Sequence, residues 1–119
     1  MKKSVTLLSW LISLAALAVV QTASAQGDAA AGANKVAICA TCHGNGGNSM
    51  IPQNPSLAGQ NANYIIKQLE DYQSGARQNA IMAPMVANLS EQDIADIAAY
   101  YGSQQRQLTG AQPDADSLA

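Results

Sequence analysis

Cys39-Ala40-Thr41-Cys42-His43 holds both cysteines and the single histidine of a 119-residue chain. Two cysteines separated by two residues and followed at once by histidine are the pattern of covalent haem attachment. Each thiol adds across one vinyl group of the porphyrin. A helical turn between the cysteines sets the sulfurs at a suitable separation and turns the next imidazole towards the iron. Cys39 and Cys42 are therefore read as the thioether residues and His43 as an axial iron ligand. Other readings of the pattern are weaker. Structural zinc takes four Cys or His ligands, and only three exist here. A thioredoxin-like redox pair would follow a buried strand, and no alternating β-branched run precedes Cys39. A plain disulfide leaves His43 without a role.

Upstream of the motif, residues 1–25 read as a secretory signal. Lys2 and Lys3 form a basic start, Leu7 to Val20 is a largely apolar run of 14 residues, and Ala23-Ser24-Ala25 is a small-x-small cleavage site. A retained anchor would need about 20 apolar residues to span a bilayer. The expected organisation is a signal peptide over 1–25, one domain over 26–106 and a polar, disordered tail over 107–119, with export to the periplasm. Removing Lys2 and Lys3 from six basic residues leaves four against eight acids, a formal charge of −4 for the exported chain. That balance argues against nucleic-acid binding and for a partner that is basic or apolar where it docks. The lone tryptophan, Trp10, lies in the signal, and there is no phenylalanine. A domain built on Ala, Ile and Leu has little large apolar volume to bury, and a haem would supply the missing core.

Three helices and two loops account for the rest of the chain. The first helix is expected from an Asp28 N-cap through Val36 to Ile38, delivering Cys39 to the haem. Gly44-Asn45-Gly46-Gly47-Asn48 ends it. The second opens at Asn61, carries Ile65, Leu69 and Tyr72 on one face, and stops at Gly75. A loop from Gly75 to Leu89 holds Met82, Pro84 and Met85. The third opens with the capping pattern Ser90-Glu91-Gln92-Asp93 and carries Ile94, Ile97, Ala98 and Tyr101 at helical spacing. There is no strand pattern, so the fold class is all-α.

With one histidine, bis-histidine ligation is ruled out by inventory. The sixth position is left to methionine, lysine, or a water or small ligand at an open site. Met50 lies only seven residues after His43, so the chain would have to wrap the porphyrin edge almost at once; Met82 and Met85 remain, and their spacing does not separate them. A thioether favours ferrous iron, so His/Met ligation raises the reduction potential and fills both axial sites, as suits an electron carrier.

The set Cys39-x-x-Cys42-His43-Gly44, Pro55-Ser56-Leu57-Ala58-Gly59-Gln60, Tyr64, Gln68-Leu69, Gly75-x-Arg77, Met82-x-x-Met85 and Leu89-Ser90-x-x-Asp93-Ile94-Ala95-Asp96-Ile97-Ala98-Ala99-Tyr100-Tyr101 resembles a small bacterial class I cytochrome c. It is most similar to one half of the di-haem cytochromes of the c-four type, from about Gly27 to Gln105. The resemblance implies three main helices wrapped around one covalent haem c, with Met82 as the iron ligand and Met85 as runner-up. It also implies that the Pro55 carbonyl accepts a hydrogen bond from His43 Nδ1, fixing the imidazole. Gly32 is expected to let the C-terminal helix cross closely, near Ile97 and Tyr100. Arg77 is a candidate to pair with a haem propionate.

These readings converge on a mono-haem electron-transfer protein rather than an enzyme. It would exchange electrons with redox protein partners in transient complexes through a rim of Met50, Ile51, Ile81, Met85 and Val86, and would not span the membrane once the signal is removed. The rival readings are a haem subunit of a larger oxidoreductase and a haem sensor or catalyst with an open sixth site.

Overall fold

The computed structural model describes residues 26–108. The expected signal segment and all but the first two residues of the expected tail lie outside the described residues. Those residues form five α-helices and one short 3-10 turn, without strands: α1 (Ala29–Ala33), α2 (Ala37–His43), the turn Asn45–Gly47, α3 (Ala62–Ser74), α4 (Met82–Val86) and α5 (Glu91–Ser103). The two 13-residue helices, α3 and α5, pack on each other, and α5 also crosses α1.

The helix starts follow the capping residues. Asp28 accepts from the Ala30 and Ala31 N–H groups, and Asn61 from the Tyr64 N–H. At α5, Ser90 and Asp93 form a reciprocal capping box. Three details depart from the sequence reading. The first helix is broken in two, because Asn34 and Lys35 turn back to the carbonyls of Ala31 and Gly32, three residues behind each. The Asn34 side chain also takes the Ala30 carbonyl, a local bond of the kind that competes with helix continuation. Separately, the segment expected as a loop from Gly75 to Leu89 contains α4. Pro84 is tolerated there because it occupies the first turn, where backbone N–H groups have no intrahelical partner. Finally, Val86, expected on an exposed rim, is 2% exposed. Its place on α4 directs it inwards, and its carbonyl is tied to α3 by Gln73.

The core gathers Val36, Ile65, Ile97, Ala98 and Tyr101, with Cys39, Leu57, Leu69 and Tyr100 packed against it. Gly32 is buried at the crossing of α1 and α5, where a Cβ would overlap the Asp96 carbonyl and approach Tyr100 Cβ to 2.8 Å. Only a bare backbone allows that approach.

A polar clasp locks the same crossing. Asp96, 3% exposed, accepts from the Asp28 N–H at 2.8 Å, the Lys35 ammonium at 2.7 Å and Gln92 Nε2 at 2.8 Å. Lys35 also pairs with Asp93 at 2.7 Å. The Asp28 N–H, followed by Lys35 and Gln92, holds the Asp96 carboxyl at about 2, below its usual 3.8. Lys35 and the Ser90 backbone hold Asp93 likewise at about 2. Both groups bind protons more weakly folded than unfolded, so their stabilisation is complete above about pH 4 and is lost as pH falls towards about 2. Thermal unfolding of the haem-bound protein is expected to show a midpoint that drops across this window. Asp96→Asn should lower the midpoint at pH 7 and flatten the acid slope; an unchanged slope would remove Asp96 from the account.

Candidate haem site

The motif residues occupy α2 at spacings i, i+3 and i+4, which places Cys39, Cys42 and His43 along one side of the helix. Both thiols are free; Cys39 is half-buried and Cys42 exposed. Helix α2 stops at His43 because Gly44 turns to φ 82°.

The loop that follows folds back beneath the imidazole. The Gly47 carbonyl accepts from the N–H groups of Leu57 at 2.7 Å and Ala58 at 3.0 Å. Ser49 N–H bonds Ser56 Oγ at 3.0 Å. Asn54 Nδ2 takes the Cys42 carbonyl at 2.8 Å, capping the end of α2. These bonds carry the Pro55 carbonyl to 2.8 Å from His43 Nδ1. His43 itself is 8% exposed. With Nδ1 donating to Pro55, Nε2 is the nitrogen left unprotonated to bind a metal. Asn54 was not singled out in the sequence; its only local signal is its position before Pro55.

On the methionine segment, Asn79 Oδ1 accepts from the backbone N–H groups of Ile81 and Met82, both at 2.9 Å, and so fixes the start of α4. Gln73 Nε2 donates to the carbonyls of Val86 at 2.7 Å and Leu89 at 2.8 Å, tying the far end of α4 to α3. Met82 is half-buried and Met85 is 48% exposed. Gln73 escapes a sequence reading because it acts between helices, whereas Asn79 carries the local capping signal, an acceptor two and three residues ahead of the N–H groups it holds, in a stretch expected to be a loop. Arg77 lies along α3, donating from Nη1 to Gln68 Oε1 at 2.6 Å, with its guanidinium 4.8 Å from the Tyr72 ring centroid.

The residues present fit a covalent haem. Two free thiols and a fixed imidazole share one helix, Cys39 packs against the cluster that contains Tyr101, and the Tyr101 hydroxyl is buried with no hydrogen-bond partner among the described residues. An all-helical fold that carries two free thiols and a pinned imidazole on one helix defines a c-type haem protein. The comparisons agree. The cytochrome c family model matches residues 25–105, and the chain belongs to the cytochrome c family. It is 46% identical to cytochrome c4 of Pseudomonas aeruginosa over 101 residues, 85% of this chain and 50% of the relative. It is 48% identical to cytochrome c-554(548) of Halomonas halodenitrificans over 82 residues, 66% of this chain and 99% of the relative. Among solved structures, reduced recombinant cytochrome c4 from Pseudomonas stutzeri superposes with a TM-score of 0.66 at 46% identity, covering 68% of this chain and 47% of that one. The chain spans about half the length of the cytochrome c4 relatives, in keeping with a likeness to one half of a di-haem cytochrome c4. Its cofactor is one covalently bound haem c.

Proposed function

We propose that this cytochrome is a periplasmic carrier of single electrons, and not an enzyme, with His43 Nε2 and the Met82 sulfur as axial ligands. The observation that supports it most is the 2.8 Å bond between His43 Nδ1 and the Pro55 carbonyl. An imidazole held by its far nitrogen keeps its orientation and basicity, which suits an iron that changes oxidation state without changing ligands. Half-burial of Met82 on a backbone pinned by Asn79 fits the second ligand better than exposed Met85. Arg77, exposed and stacked on Tyr72, offers its guanidinium to a propionate. The signal pattern of residues 1–25 supports export, and no helix among the described residues is long and apolar enough to cross a membrane.

Electron exchange would use a small apolar surface. Met50 is 79% exposed and Ile81 69%, with Ile51 and Met85 also exposed. Ile38, just before the first cysteine and 60% exposed, joins the exposed apolar residues in place of Val86. A weak, short-lived complex with a redox protein suits a surface of this kind. Visible and near-infrared spectra with a redox titration test the reading. A reversible one-electron transition, a methionine-to-iron charge-transfer band in the ferric state and no rapid uptake of carbon monoxide by the ferrous state are expected. Fast stoichiometric carbon monoxide binding would replace this reading with an open haem site.

A further inference from the structure

Tyr101 sits near the end of α5, 1% exposed, and its hydroxyl is the one buried side-chain polar atom without a hydrogen-bond partner among the described residues. Leaving a donor unpaired inside a protein is costly, so such an atom calls for a partner. The ring is not free to swing the hydroxyl towards water. It lies over the bare backbone of Gly47, where a Cβ would stand 2.7 Å from Tyr101 Cδ1 and 2.9 Å from Cε1. Tyr100 abuts it edge-on with ring centroids 5.2 Å apart, and the Tyr101 carbonyl is held by the Gly59 N–H at 2.9 Å.

Cys39 packs against the cluster that contains this fixed ring. We propose that Tyr101 is a positioning residue for the haem linkage, donating a hydrogen bond from its hydroxyl to the Cys39 sulfur in the haem-bound protein. The proposal rests on the attachment of haem through Cys39. A thiol offers a competing proton, whereas a thioether sulfur has lone pairs and none, so forming the linkage leaves the phenol as the sole donor of the pair. Burial pushes the Tyr101 hydroxyl well up from its ordinary value, so it remains a donor at any physiological pH. Cys42 is exposed where Cys39 is half-buried, and the two linkages are therefore unequal. The positive end of the O–H dipole at a sulfur bonded to the porphyrin edge favours the reduced haem.

The test uses the haem-bound protein. Proton NMR of the ferrous form is expected to show a slowly exchanging Tyr101 hydroxyl proton with a nuclear Overhauser contact to the Cys39 β-protons. Tyr101→Phe, which keeps the ring, should lose that signal and lower the midpoint potential, while Tyr100→Phe leaves the potential unchanged. Haem that resists acid-acetone extraction, in a protein lacking the hydroxyl signal, would overturn the proposal and spare the attachment. An unchanged potential in Tyr101→Phe would also overturn it. If that variant fails to fold, the hydroxyl signal of the parent protein decides alone. Haem released by acid acetone would overturn the attachment and the proposal with it.

Discussion

A Cys39→Ser, Cys42→Ser double variant, exported without haem, is expected to lose most of its helical circular dichroism and to show no cooperative thermal transition, while the haem-bound parent unfolds cooperatively. The reason lies in the core. The buried hydrophobic residues among those described are Val36, Ala58, Ile65, Tyr72, Val86, Ile94, Ile97, Ala98 and Tyr101, and only Tyr101 and Ile94 among the large ones are fully enclosed. Fully burying a large aliphatic or aromatic side chain contributes about 1.5–3 kcal/mol, whereas ordering each residue's backbone costs about 1–2 kcal/mol. So few large buried groups leave a domain of this size dependent on its cofactor. Anything that binds only the folded state adds its binding free energy to stability. A cooperative transition in the double variant would show that the helices α1, α3 and α5 hold together unaided.

Replacing Met82 by alanine is expected to abolish the methionine-to-iron charge-transfer band of the ferric protein and open the ferrous protein to carbon monoxide. It should also lower the reduction potential substantially, within the ~0.8 V range over which axial ligands tune haem. Met85→Ala should keep the band and shift the potential modestly, by admitting water near the haem. The pair is informative because the same side chain is removed twice, one turn apart on α4. A general loosening of α4 would make the variants alike; ligation makes them differ. Loss of the band in Met85→Ala and its retention in Met82→Ala would transfer the ligand role to Met85. Retention in both would leave the sixth site to another group.

Legibility followed the range of the interactions. The grouping of Cys39, Cys42 and His43, the residues proposed to hold the haem, could be read from the sequence because they fall within about one helical turn. The capping residues Asp28, Asn61 and Ser90 were legible for the same reason, since each bonds a backbone N–H two or three residues ahead. The break between α1 and α2 was not, because the alanine-rich stretch favours continuation and only the bonds of Asn34 and Lys35 show that the chain turns instead. Val86 was expected on the rim together with Met85, yet a helix in place of a loop sends these two neighbours to different environments.

By itself, the sequence determined which candidate haem-binding groups α2 presents, the all-helical class and the short list of candidate iron ligands. Those follow from residue inventory and from patterns spanning a few positions. Tertiary structure alone decided that the Pro55 carbonyl meets His43 across 12 positions, that Asp96 is buried against Asp28 and Lys35, and that Tyr101 joins the cluster against which Cys39 packs. Each of these depends on how α5 crosses the start of the chain or how the 48–60 loop doubles back, and no local spacing encodes where two distant segments come to rest.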